Sequence, residues 1–385
     1  MSEEFNRSQG SMIPELAALS DKLAKRVNSE FGPIVGVKDE LRGKLAHSGL
    51  IHSIVDDAPI RVDSMAAVDG ARIQEKLYAA DFLVAVATLA NARLTPTKLY
   101  ADNIVWADIL QHADGTDRIS QTAMGSGEVR LLAESKHEIR IMDGSLVTPL
   151  IMLREGLYLK SAKLQGINAD LLAERRAAEF LSYLIDRADD GLVSVAKSDS
   201  ATYFAREYDE KFGLRFPTSD RFLATQILQP GEILHPRVLH EVEKQAVENV
   251  QGHNKTALKV AAELDKEYQR IAKMAKSGLI YTTYFRPYSP GVAAEHIPNV
   301  LRIEFTIRPE DSKNVVEVAK RYANIINADM VPPFMLEPFC QHTVDAQAKG
   351  ISSAAKALKA KMLRDLPADQ AAAYKALLGS SYRTS

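Results

Sequence analysis

Met65-Ala-Ala-Val-Asp69-Gly70 and Ile139-Arg-Ile-Met-Asp143-Gly144-Ser145-Leu146 are two apolar runs that each deliver an aspartate immediately before a glycine. A buried strand that stops on a carboxylate is a rigid mount for a metal ligand. The glycine behind it lets the backbone turn sharply and keeps side-chain bulk away from whatever binds there. Two such mounts in one chain point to a site where carboxylates meet around divalent cations. Asp-Gly also occurs at 114–115 and 190–191. Those two follow a polar loop and a helix rather than a strand, and read as turns.

The surroundings of the two mounts suggest a sheet. Phe82–Ala90 is a longer apolar run and Leu99–Trp106 has a rough alternation, so with Met65–Val68 they read as neighbouring strands. A polar loop over 112–117 leads into a helix around 118–135, and the strand carrying Asp143 follows. Residues 167–188 pattern as a helix, Gly191–Ala196 as a strand, and Ser198–Lys211 as another helix. Strand character returns at Leu279–Phe285 and Val300–Ile307, followed by a helix at 311–327. A Pro-rich bend, Val331-Pro-Pro-Phe334, precedes a last helical region over 338–363. Strands mixed with helices in this order predict an α/β fold with a mixed sheet.

Around this core, residues 1–60 read as a helical, partly disordered segment. Its first dozen residues form a disordered lead, and Leu16, Leu19, Leu23 and Val27 then mark an amphipathic helix from Pro14 to Phe31. Residues 61–235 hold the first part of the core, and 236–277 read as a long, charged helical insertion. Residues 278–365 complete the core, and 366–385 form a small, polar tail.

Composition narrows the function. The chain has 385 residues, 46% hydrophobic and 25% charged, as expected for an ordinary globular protein. A net charge of -2 means that a nucleic-acid partner would require the basic residues to be concentrated in a channel. The single cysteine, Cys340, excludes an internal disulfide and a cysteine-based zinc site. Phe82–Ala90 is far short of the ~20 residues that span a bilayer, and the polar start shows no secretory signal. A cytoplasmic protein with no membrane association is expected. The nine histidines include no HExxH, and His235 and His240 are off one helical face. With no G-x-x-x-x-G-K-[ST] loop and no G-x-G-x-x-G fingerprint, the chain does not read as an ATPase, kinase or dehydrogenase.

Two aspartates call for a third acid. Glu138 lies an odd number of positions before Asp143 on one strand, which sends it to the other face. Glu128 and Glu134 sit on the preceding helix, six residues apart and pointing in different directions, so both together are not expected to serve. His342, in Pro338-Phe-Cys-Gln-His342-Thr-Val-Asp345, begins the late helix.

This pattern resembles the NurA nuclease family of DNA-end-processing enzymes. The matching residues are Ala67-Val-Asp69-Gly70-Ala71, then Ile141-Met-Asp143-Gly144-Ser145-Leu146, then a late helix carrying Gln341-His342. Val195-Ala-Lys197-Ser-Asp199 and Leu301-Arg-Ile-Glu-Phe305 also look like the family, and the similarity runs in order over roughly 60–350. The resemblance implies an RNase H-like mixed sheet, with Asp69, Glu128, Asp143 and His342 as catalytic and metal-binding residues. Glu128 fits the family's spacing before the second aspartate better than Glu134. One departure stands out: where the family often has a tyrosine upstream of the histidine, this chain has Phe334, which carries no hydroxyl.

The implied chemistry is cleavage of DNA, single- or double-stranded, by an exonuclease and endonuclease dependent on manganese, with magnesium as the alternative ion. Two ions ~3.5–4 Å apart would clamp the phosphate, one activating water and the other stabilising the leaving oxygen. Asp69 would bridge them, Glu128 and Asp143 would each complete one, and His342 would ligate the second or protonate the leaving group. Lys197, Lys349, Lys356 and Lys359 are candidates for binding the DNA backbone. The resemblance further implies a homodimer working beside HerA, a hexameric ATPase that pumps DNA, in end resection, DNA repair or phage defence. The competing readings are a catalytically inactive regulatory partner of a translocase, favoured only by Phe334, and another phosphoesterase on the same core.

Overall fold

The nearly unbroken apolar run around Phe82–Ala90 predicts a strand covered on both faces, and strand β3 (Asp81–Asn91) is buried along almost its whole length. It sits within a ten-stranded mixed sheet. The computed structural model describes residues 2–55, 60, 62–91, 100–112, 115–149, 152, 191–197, 201–213, 219–239, 266, 269, 273, 280–297, 299–331, 334–335, 337–367, 372 and 378. The remaining strands are β1 (Ile51–Ser53), β2 (Met65–Lys76), β4 (Tyr100–Leu110), β5 (Ile139–Asp143), β6 (Leu192–Ala196), β7 (Glu232–Leu234), β8 (Arg237–Val238), β9 (Ile280–Arg286) and β10 (Leu301–Thr306). Their order across the sheet is β1-β7-β9-β10-β6-β5-β2-β3-β4, with β8 paired to β9.

Directions within this order divide the sheet into parts. β2, β3 and β4 form an antiparallel meander, while β2, β5 and β6 run parallel. β10, β9, β7 and β1 extend the sheet antiparallel beyond β6. The expected α/β fold with a mixed sheet is therefore what the chain adopts, and an antiparallel meander joined to two parallel strands fits an RNase H-like core.

Alternation sorts the helices onto the two faces. Met65, Ala67, Ile139, Ile141, Val193 and Val195 share a buried cluster with Ile303, Phe305, Tyr322, Cys340 and Val344. That face is covered by α5 (Val315–Ala328) and α6 (Phe339–Lys349). On the other face of β9, Tyr284 packs with residues of α1 (Ser2–His47), α3 (Tyr203–Phe212) and α4 (Asp220–Ile227). α2 (Thr116–Glu134) lies over β2, β3 and β4.

Several expectations need correction. The lead over the first dozen residues is helical, because α1 starts at Ser2 and runs through Pro14 and Pro33. Once a helix is nucleated, each further residue adds a hydrogen bond, and a polar composition alone does not stop it. Leu16, Leu19, Leu23 and Val27 do form one stripe, yet each is half-exposed or more. The same line continues to Ile34, Leu41 and Leu45, which are fully buried. The insertion does not begin as a helix: Arg237–Val238 is strand β8 on β9. Lys266, Gln269 and Lys273 are helical, and most of the remaining insertion lies outside the described residues, as does the helix expected over 167–188. The final helical region breaks at Gly350 into α6 and α7 (Ile351–Arg364), in keeping with the poor helix propensity of glycine.

Candidate active site

The register places the two aspartates side by side. Ala67 pairs with Ile141 and Val68 with Met142 across the parallel β2–β5 ladder. One step further along, Asp69 meets Asp143, on adjacent strands and on the same face. That face belongs to α6. Gln341, fully buried, donates from Nε2 to Asp143 Oδ1 at 2.6 Å and to the Val195 carbonyl at 3.0 Å.

The two glycines do different work. Gly144 has φ +90, a left-handed conformation that suits glycine, and it turns the chain directly after Asp143. Gly70 does not turn, because β2 continues to Lys76. Its value is the missing side chain: a Cβ there would stand 2.3 Å from Glu128 Oε1 and 2.3 Å from Met124 Cγ. Asp69 and Gly70 point to opposite faces, so Glu128 approaches from the α2 side and lays its carboxylate against the bare glycine. Glu134 stays on the surface, with a long contact of 3.9 Å to Arg130. Glu138 accepts from the Asp63 amide at 2.8 Å, away from the two aspartates.

Like charges held this close repel, and burial removes the water that would screen them. Burial, then the neighbouring Asp143 charge, pushes Asp69 up to about 7. Burial, then the charges of Asp69 and Asp143, pushes Glu128 up to about 8. Burial also raises Asp143, against the opposing pull of Lys197 and Gln341. Lys197 Nζ lies 3.1 Å from Asp143 Oδ2 and 2.7 Å from Glu337 Oε2. Burial disfavours its charge, but Glu337 and Asp143 outweigh that and hold it firmly protonated.

The remaining candidates scatter around this centre. His342 is half-exposed and meets Glu337 Oε1 through Nδ1 at 3.0 Å. It therefore reaches the carboxylates through the chain Glu337–Lys197–Asp143 rather than by direct contact. Lys349 pairs with Asp345 at 2.6 Å, and Lys356 is exposed on α7. Lys359 is largely covered and holds Glu75 at 2.5 Å, tying α7 to β2. Phe334 is 90% exposed. Sequence reasoning missed Glu337 and Asp345, and gave Glu304 no role. Glu304 accepts from Ser145 Oγ and from the Leu146 amide, both at 2.9 Å, and pairs with buried Arg302. It thereby pins the turn after Asp143. Its one signal in the sequence is a glutamate inside the apolar strand Leu301–Thr306, an expensive placement without a partner.

The donor set suits a hard divalent cation. Glu128 is only 8% exposed, yet it has no hydrogen-bond or ion-pair partner among the described residues. Gln341 Oε1, beside Asp143, is buried and likewise unpaired. Among the described residues, no three His, Cys, Asp or Glu side chains already stand grouped as metal ligands. With Lys197 drawn onto Asp143, the carboxylates are electrostatic neighbours that a cation would have to draw together.

This repulsion makes the stability of the metal-free protein depend on pH. Asp69 and Glu128 titrate higher in the folded chain than the ordinary ~4 of the unfolded chain. The stabilisation is therefore full below about pH 4 and is lost as pH rises through 7 to 8. Denaturant midpoints of the metal-free protein should fall over that range. Glu128→Gln should flatten part of the fall, because a carboxyl that titrates tenfold less readily when folded contributes about 1.4 kcal/mol. A midpoint difference between pH 5 and pH 8 as large in that variant as in wild type would contradict the assignment.

A mixed α/β sheet with aspartates on two adjacent parallel strands facing one covering helix defines the class of fold. Solved structures of NurA share this fold. The NurA nuclease from Sulfolobus solfataricus matches with a TM-score of 0.60 and 13% identity, over 93% of this chain and 98% of that one. A second NurA structure matches with a TM-score of 0.51 and 12% identity, over 93% and 99%. The chain thus has a NurA-like fold. No protein-family model matches the chain, and neither does any curated protein sequence.

Proposed function

We propose that this protein is a metal-dependent deoxyribonuclease that hydrolyses phosphodiesters at Asp69, Glu128 and Asp143. The observation that carries the reading is the convergence of buried Glu128 from α2 with the partly buried Asp69 and Asp143 from β2 and β5, whose mutual repulsion a cation would relieve. Oxygen donors favour manganese or magnesium. When bound, such ions would neutralise the phosphate and lower the pKa of a bound water.

The chain's own residues have definable parts. Gln341 fixes the orientation of Asp143, and Gly70 leaves Glu128 its path to the site. Lys197 is placed to shift from Asp143 to a phosphate oxygen as a cationic partner. Glu337, bonded to His342 Nδ1, leaves Nε2 as the nitrogen that can face a ligand or a leaving oxygen. His342 is thus read as the residue that protonates the leaving group or completes the centre.

DNA, single- or double-stranded, is the proposed substrate, with exonuclease and endonuclease action at ends. Lys197, Lys349 and Lys356 are proposed to contact its backbone. The chain carries no phosphate-loop motif, in keeping with a separate HerA-type hexameric ATPase as the motor. The half-exposed stripe of Leu16, Leu19, Leu23 and Val27 on α1 favours assembly into a homodimer. Among the described residues no helix is long and apolar enough to cross a membrane, and a cytoplasmic DNA-repair or phage-defence role is proposed.

The test is incubation of purified protein with end-labelled single- and double-stranded DNA, with Mn²⁺ or with EDTA. Shortening of the label with Mn²⁺ alone is expected. No cleavage under any divalent ion would favour the non-catalytic translocase partner that Phe334 suggests.

A further inference from the structure

Phe334 is an apolar side chain that the proposed chemistry leaves unused. It is 90% exposed, whereas the next most exposed large apolar residues among those described, Tyr78 and Val105, reach 65% and 64%. A single exposed apolar side chain needs no explanation on an ordinary surface. Phe334, however, stands on a turn that is held in place. The Met335 amide donates to the Val331 carbonyl at 2.9 Å, and Val331 and Met335 pair as an antiparallel bridge. The sequence across the turn, Pro332-Pro333-Phe334, contains two residues whose rings restrict the backbone.

This turn is the tip of a longer loop that is clamped at its base. There the Phe339 amide donates to the Asp329 carbonyl at 2.8 Å, and the Cys340 amide donates to Asp329 Oδ2 at 2.9 Å. Asp329 and Cys340 are both buried, so the loop stands on the core. Loops whose ends are held close in this way are frequently functional. The return arm enters the candidate site, where Glu337 lies 2.7 Å from Lys197 Nζ and 3.0 Å from His342 Nδ1. Three residues span at most ~11 Å, so the Phe334 backbone lies within about three stacked nucleotides of Glu337.

With no hydroxyl, Phe334 offers only the face of its ring. One such side chain presents ~200 Å², about a quarter of the ~800 Å² that each partner contributes to a standard protein interface. No second large apolar side chain among the described residues is exposed on this loop. A nucleobase matches the ring in size, and aromatic faces beside cationic groups are how proteins hold unpaired strands.

We propose that Phe334 is a stacking platform for a nucleobase of single-stranded DNA, a binding subsite a few nucleotides from the cleavage centre. This rests on the reading of the chain as a deoxyribonuclease. Every base has a π-face, so the platform is indifferent to sequence. It favours unpaired strands, because the bases of a duplex are already stacked on one another.

The test is Mn²⁺-dependent cleavage by the full-length protein, read as the initial loss of an end-labelled single strand. Phe334→Ala should raise KM at least about fivefold, with kcat within about twofold of wild type. Phe334→Leu, which keeps apolar bulk without the π-face, should do the same, and Phe334→Trp should keep the wild-type KM. Strands with one abasic site, moved stepwise from the labelled end, locate the contact. Wild type should lose the same factor at one position, and Phe334→Ala should be indifferent there. A wild-type KM in Phe334→Ala would overturn the proposal and leave the ring to a protein partner, with the deoxyribonuclease reading intact. A wild-type KM in Phe334→Leu would reduce the contact to apolar bulk and overturn stacking as well. If wild type cleaves no strand, the deoxyribonuclease reading fails and the platform with it.

Discussion

Asp143→Asn is expected to abolish Mn²⁺-dependent DNA cleavage while the protein stays folded. Asparagine keeps the shape of the side chain and can still meet Gln341, but it removes the charge that a cation needs. Losing several kcal/mol of charge stabilisation at the reacting phosphate corresponds to a rate loss on the order of 10³-fold or more. Asp69→Asn should behave in the same way, since its neighbour across the ladder is Asp143. The folded state should tolerate both changes, because each removes one charge from a cluster whose members raise one another. End-labelled DNA assays on the two variants, beside thermal melts without metal, check this. Retained cleavage at more than a tenth of the wild-type rate in either variant would remove the proposed site.

Glu304→Ala should cause the largest loss of stability. Glu304 is 1% exposed and Arg302 4% exposed, and they form a pair inside β10. Removing the carboxylate strips Arg302 of that partner in a buried position. Breaking such pairs from one side costs about 3–5 kcal/mol. The same substitution releases Ser145 Oγ and the Leu146 amide, so the turn behind Asp143 loses its anchor. A fall in the urea midpoint of that size is expected, together with loss of cleavage in the fraction that remains folded. A midpoint within about 1 kcal/mol of wild type would show that the turn is held by other contacts.

How much of this could be read from the residues differs between elements. Asp69 and Asp143 were legible because β-type apolar residues lead into each, and that local pattern survives without tertiary information. Gly144 was legible as a turn for the same reason, whereas Gly70 was not: its reason lies in α2, more than fifty residues away in sequence. Glu128 could not be separated from Glu134 by pattern alone, because α2 shows little amphipathic bias and is covered by β2, β3 and β4. The contacts of Gln341, Glu337 and Asp345 appear only when α6 docks on the parallel strands, with Gln341 and Asp143 lying 198 positions apart. Lys359 read as a DNA contact because its helix is rich in lysine, but β2 supplies Glu75 as a nearer partner. The short strands β1, β7 and β8 escaped notice because two or three residues carry too little periodicity to register.

Every role proposed for the site depends on a cation gathering Asp69, Glu128 and Asp143. Anomalous diffraction from crystals soaked in MnCl₂, collected at the manganese edge, examines that directly. The predicted result is strong density between the carboxylates of Asp69 and Asp143, with Glu128 drawn in past Gly70 and Lys197 displaced from Asp143. Manganese bound only elsewhere on the molecule, with Lys197 still seated on Asp143, would contradict it.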